Sequence, residues 1–145
     1  MNENNEMLLY IYENANMGVK STTKLINILN NTDNKIKKIV EGELKGYENI
    51  EKKAKKLLKK YKVGPKDKGV IANIMSSIGM SFELMKDNSD SRVADMLIKG
   101  FTMGNIDITK KIDKYKGDCD KEILDIANEL LNFGKENIKL LKDYL

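Results

Sequence analysis

At 145 residues the chain is long enough for one domain, residues 1–145, that hides roughly two-thirds of its unfolded surface, so disulfide or metal staples are not needed to complete a core. Its 41% hydrophobic and 33% charged residues are interleaved rather than blocked, which excludes a disordered tail, and the longest uncharged stretch, Gly69 to Phe82, is too short to cross a bilayer. The net charge of +4 rests on lysine, with Arg92 the only arginine, and the absence of histidine removes the commonest general base together with the commonest metal ligand.

The first segment, polar and acidic through Met1-Asn2-Glu3-Asn4-Asn5-Glu6, does not read as a secretory leader. From about Glu3 to Asn30 it places Leu8, Ile11, Tyr12, Ala15, Val19, Thr22, Ile26 and Leu29 on one face at steps of three and four, the period of an amphipathic helix. Asn30-Asn31-Thr32-Asp33 then offers turn and N-cap chemistry. A second helix runs to about Tyr61 with the stripe Ile36, Ile39, Val40, Glu43, Tyr47, Ile50, Ala54, Leu57, Leu58 and Tyr61. Val63-Gly64-Pro65 stops it, because glycine closes a helix and proline cannot extend one.

A third helix is predicted from about Lys66 to Lys86, with Ile71, Ile74, Met75, Ile78, Ser81, Phe82 and Met85 on its face. Asp87-Asn88-Ser89-Asp90-Ser91 caps a fourth, which runs to about Lys116 behind a broad apolar arc: Val93, Ala94, Leu97, Ile98, Phe101, Gly104, Ile108, Ile112 and Tyr115, widened by Met96, Gly100 and Met103. After Gly117-Asp118 a fifth helix carries Ile123, Ile126, Ala127, Leu130, Leu131, Phe133, Ile138, Leu141 and Leu145. Short connections make consecutive helices antiparallel. The expected architecture is therefore all-α: an up-down, ferritin-like four-helix bundle in which the additional third helix is the return connection, five helices in total.

The order of these elements, and the stretches Leu9-Tyr10-Ile11-Tyr12-Glu13-Asn14-Ala15-Asn16-Met17-Gly18 and Lys99-Gly100-Phe101-Thr102-Met103-Gly104-Asn105-Ile106-Asp107, resemble an uncharacterised ferritin-like family of low-GC Gram-positive bacteria. The resemblance covers nearly the whole chain and rests on packing residues, so it implies a ferritin-like bundle without implying an activity. Di-iron members of the wider superfamily use carboxylates with Glu-x-x-His motifs. Here the nearest match is Glu43-Leu44-Lys45-Gly46, with glycine where the imidazole would be, and no other carboxylate falls in mid-stripe. Asp107 reaches only a border, so Glu43 and Asp107 are the sole weak metal candidates and no cofactor is expected. A buried carboxyl must be protonated, paired or metal-bound. The ordinary reading of Glu43 is a buried polar cluster with Thr22 and Ser81, which lie at its level on neighbouring stripes.

The run Lys52, Lys53, Lys55, Lys56, Lys59, Lys60 and Lys62 occupies one half of its helix, as any solvated face does; without arginine or interleaved aromatics it argues against nucleic acid more than for it. Gly42-x-x-x-Gly46 and Gly100-x-x-x-Gly104 each suggest close approach to a helix backbone. Gly100, Gly104, Met96 and Met103 form the candidate contact surface, for a protein partner or a homodimer. Cys119 is unpaired, consistent with a reducing, cytoplasmic setting, and Asp118 and Asp120 oppose the thiolate that a nucleophile would need. No phosphate loop or nucleophile elbow is present. The composition thus argues against an enzyme and for a non-catalytic bundle acting by protein contact or self-association. An atypical metal protein using Glu43 and Asp107, and a lysine-mediated binder of anionic surfaces, are the alternatives.

Overall fold

The computed structural model describes residues 2–64 and 87–145. The predicted third helix, and with it Ser81, Met75, Met80 and Met85, lies outside these residues. Among the described residues the fold is all-helical: α1 (Glu3–Leu29), α2 (Lys37–Lys60), α3 (Asp90–Tyr115) and α4 (Lys121–Leu141), followed by a 3-10 turn, Lys142–Tyr144. The segments read as first, second, fourth and fifth become α1 to α4. No described helix is long and apolar enough to cross a membrane.

Local chemistry explains most of the boundaries. Asn2 caps α1 by accepting from the Asn5 amide at 2.9 Å, and Ser89 caps α3 by accepting from the Arg92 amide at 3.3 Å. The start of α2 departs from expectation. Asn30 to Asp33 do not cap it, and Ile36, which occupies the cap position, brings no side-chain acceptor. Asp90 serves instead, from the first turn of α3: its carboxylate accepts from the Lys35 amide at 3.1 Å, the Ile36 amide at 3.3 Å and the Asn34 side-chain amide at 2.9 Å. One acid thus sits in the first turn of its own helix while satisfying the orphan amides of another.

That clasp puts the N-termini of α2 and α3 at the same end of the bundle, so these two helices run parallel. At the other end the Tyr61 hydroxyl lies 2.6 Å from an oxygen of both Asp120 and Glu122, which share its one proton, Cys119 donates to the Glu3 carbonyl, and the Asp120 amide donates to the Asn4 side chain. The start of α1, the end of α2, the end of α3 and the start of α4 therefore converge there. α1 with α2, and α3 with α4, form two antiparallel hairpins laid side by side.

The core divides in two along the bundle axis. One cluster gathers Met7 to Ile11 of α1 with Ile50, Ala54 and Leu58, Ile108 and Tyr115, and Ile123 to Leu130. The second gathers Leu25, Leu29, Ile36, Val40, Val93, Ala94, Leu97, Phe101 and Leu141. Tyr47 and Phe133 pack against both. Three rings meet at this junction: Tyr47 and Phe101 stack with centroids 6.0 Å apart, and Phe133 stands edge-on to them at 4.8 and 5.9 Å.

Two glycines make room for these rings. A Cβ on Gly18 would lie 2.4 Å from the Tyr47 ring, and one on Gly46 would lie 2.1 Å from Phe133. The close-approach reading of Gly42-x-x-x-Gly46 holds for Gly46 alone, because a Cβ on exposed Gly42 meets nothing within 4 Å. Opposite outcomes are expected for the same substitution one turn apart. Gly42→Ala should raise stability by up to about 1 kcal/mol, the propensity difference in a helix, whereas Gly46→Ala should lower it by about 1–3 kcal/mol through overpacking. Urea titration of the two variants checks both signs.

Candidate functional site

Between the two core clusters the helices do not close. A cavity of about 110 Å³ remains at the level of the aromatic junction. α1 contributes Tyr10, Asn14, Met17, Gly18, Ser21 and Thr22; α2 contributes Glu43 and Tyr47. α3 lines it from Leu97 to Ile108 through Gly100, Phe101, Gly104, Asn105 and Asp107, and α4 adds Leu130, Phe133 and Gly134. The Asn105 amide comes so close to α4 that a Cβ on Gly134 would lie 2.2 Å from its oxygen. Rings and amides spanning to glycine thus form the walls.

Glu43 is fully buried on the inner face of α2, where the periodicity put it. Neither carboxyl oxygen has a hydrogen-bond partner among the described residues. Thr22 is buried on the same cavity, but it does not hydrogen-bond Glu43, so the anticipated cluster is not formed by these two; Ser81, its third member, lies outside the described residues. Desolvation alone pushes the Glu43 carboxyl up to about 8, because burial disfavours the charged form. The same burial, with Glu43 nearby, raises the Tyr47 phenol well above its ordinary range. Tyr10 is pushed up to about 12, by burial first and then by the charge of Asp107. At neutral pH the floor of the cavity is therefore a carboxylic acid and its walls carry two neutral phenols.

Asp107, read from sequence as a border position, lines the same cavity as Glu43. No group of three or more acidic, histidine or cysteine side chains able to hold a metal ion is found among the described residues. The position that would carry an imidazole in a Glu-x-x-His motif is also closed: Phe133 fills the space into which any side chain on residue 46 would grow. Of the candidate contact surface, Gly100 and Gly104 line the cavity, Met96 packs against the second core cluster, and Met103 projects outward, 53% exposed. A Cβ on Gly104 meets nothing within 4 Å.

The remaining sequence candidates are at the surface. All of the lysines from Lys52 to Lys62 are exposed, and two are engaged with α4: Lys53 pairs with Glu129 at 2.8 Å and Lys60 with Glu122 at 2.7 Å. Exposed pairs of this kind contribute about 0–1 kcal/mol each, so they register α2 against α4 more than they hold it there. The Cys119 thiol is raised by partial burial first and then by Glu3, Asp118, Asp120 and Glu6, in line with the opposition anticipated from its neighbours. Sequence reading missed Tyr10, Asn14, Asn105 and Gly134 as parts of a site. A helical wheel shows which way each points, but not that four wheels leave a gap between them.

Compared with protein-family models, with curated proteins and with solved structures, the chain matches none.

The buried acid makes stability depend on pH with a defined sign. Its folded-state value lies above the unfolded one, so its favourable contribution is complete below about pH 4.5 and is lost as pH rises through about 8. Glu43→Gln cannot ionise and should lack this loss. In urea titrations at pH 5 and pH 8, stability of the native protein relative to Glu43→Gln should fall by on the order of 3 kcal/mol; a constant difference would show that Glu43 is not held neutral.

Proposed function

We propose that this chain is a non-catalytic, ferritin-like helical bundle that works as a binding protein, with the cavity between its two core clusters as the binding site. The parallel course of α2 and α3 supports the ferritin-like reading, since such bundles carry a crossover between their second and third long helices. One observation carries the binding role: a carboxyl with no hydrogen-bond partner among the described residues faces a lined, largely apolar space. Leaving a buried polar group unsatisfied costs about 1–3 kcal/mol, and a ligand that reaches it recovers that cost. An apolar hollow of comparable size, about 150 Å³, is enough to take up benzene in another protein.

Catalysis has little to work with here. Among the described residues the walls present phenols held neutral, amides, hydrocarbon, two carboxyls and the hydroxyls of Ser21 and Thr22, without a histidine or lysine beside those hydroxyls to activate them. A metal-binding role would rest on Glu43 and Asp107 alone, without a third acidic, histidine or cysteine partner among the described residues. The test uses 2-phenylethanol, a small neutral aromatic, followed by calorimetry and by amide chemical shifts. Saturable binding is expected to perturb residues of all four helices. Gly104→Leu, which adds bulk to a cavity-lining position where a Cβ meets nothing within 4 Å, should abolish binding while the melting temperature holds or rises. Absence of saturable binding to the native protein would overturn the role.

A second reading, self-association, is favoured by Met103 and Ile106, 53% and 51% exposed and about one turn apart on α3. A homodimer through this face should become monomeric in the double substitution Met103→Lys and Ile106→Lys, as read by sedimentation equilibrium. An unchanged mass would exclude this face from any assembly.

A further inference from the structure

The charge pattern of the cavity selects among ligands. Every ionisable group that lines it among the described residues is an acid: Glu43 from α2, Asp107 from α3, and the phenols Tyr10 from α1 and Tyr47 from α2; α4 contributes none. No lysine or arginine joins them among the described residues. Lys111 places its Nζ 5.0 Å over the Tyr10 ring but is not itself part of the wall. The rings of Tyr47, Phe101 and Phe133 line the same cavity as Glu43 and add no positive charge to it. An anion entering this space would meet two carboxyl groups and no described cation. A cation would meet those carboxyls favourably.

Building on the cavity reading, we infer that the site takes an organic ammonium: a primary amine with a compact aromatic or aliphatic body, its charged head against the Glu43 carboxyl and its body among Tyr47, Phe101 and Phe133. The hydrocarbon part fills the apolar gap, and the ammonium supplies the buried oxygens with the donors they lack. Three N–H donors on such a head can serve both Glu43 oxygens and leave one for a neutral acceptor.

Binding of this kind moves a proton in a balanced way. At neutral pH the free site holds Glu43 as a carboxylic acid and the ligand arrives as an ammonium. The complex contains a carboxylate and an ammonium, so one proton leaves the Glu43 carboxyl for solvent for each ligand bound; no bond in the ligand changes. Affinity should therefore climb about tenfold per pH unit below the free-site value and level off above about 8. Asp107, Tyr10 and Tyr47 are the other ionisable groups lining the site among the described residues, with Lys111 over the Tyr10 ring outside it. The phenols stay neutral across this window, since both are raised by burial, so the proton count belongs to Glu43.

The experiment compares 2-phenylethylamine with its neutral isostere 2-phenylethanol and with the anion phenylacetate. Calorimetry is run on the full chain at pH 6, 7 and 8 in buffers of different ionisation enthalpy. The amine is expected to bind more tightly than the alcohol at pH 8 by at least tenfold, to gain about tenfold between pH 6 and 7, and to release close to one proton at pH 7; phenylacetate should bind worst. Glu43→Gln, nearly isosteric and checked for folding by circular dichroism, should lose both the preference for the amine over the alcohol and the pH dependence of amine binding. If the alcohol binds and the amine gains nothing over it, or if Glu43→Gln keeps the preference, the ammonium assignment is wrong while the cavity role stands. If none of the three binds the native protein, the cavity role itself falls, and the ligand class with it.

Discussion

Three rings meet where the four described helices come together, and glycines on the facing helices make room for two of them. Tyr47, Phe101 and Phe133 touch one another where the two core clusters meet, and two of them are received by a missing Cβ on a facing helix, at Gly18 and Gly46. Each of these two rings fills space that a facing helix leaves open, and the cavity lies beside them. The glycines are therefore matched to the rings, and neither can be changed without the other.

What lies beside the rings follows from their position. Glu43 is one turn before Tyr47 on the same face of α2, so the geometry that places the ring at the centre places the carboxyl there too. Its burial costs stability that hydrocarbon would not cost, and no described neighbour offsets it by a hydrogen bond. That cost falls at the level of the cavity. That coincidence of unmet hydrogen-bonding capacity and unfilled space is what favours a binding role over a scaffold.

Much of this could be read from residues alone, and the limits of that reading are physical. Apolar steps of three and four located α1, α2, α3 and α4 to within a few residues, and the wheel put Glu43 inward, since burial on a helix is a matter of angle. Ser89 was legible as a cap because its acceptor lies within its own turn. The cap of α2 was not, because Asp90 comes from a different helix and nothing local in Asn30 to Asp33 announces it. Asp107 was placed at a border and proved to share the cavity with Glu43, since a border on the wheel becomes a wall when the neighbouring helix stands off. Gly42 and Gly46 look alike in sequence; only the facing ring distinguishes them. Angle is local and legible, whereas the distance between helices is a property of the assembled whole.

The Asp90 clasp bears on how the molecule comes together and comes apart. Turns of a few residues close each hairpin, α1 with α2 and α3 with α4, while Asp90 and Asn34 meet across 56 positions of sequence. Contacts that close short loops form early and those that close long ones form late, since chain entropy penalises the latter. The hollow exists only where the two hairpins are mated. A guest held there binds that state and no other, so occupancy would strengthen the pairing of the hairpins by mass action.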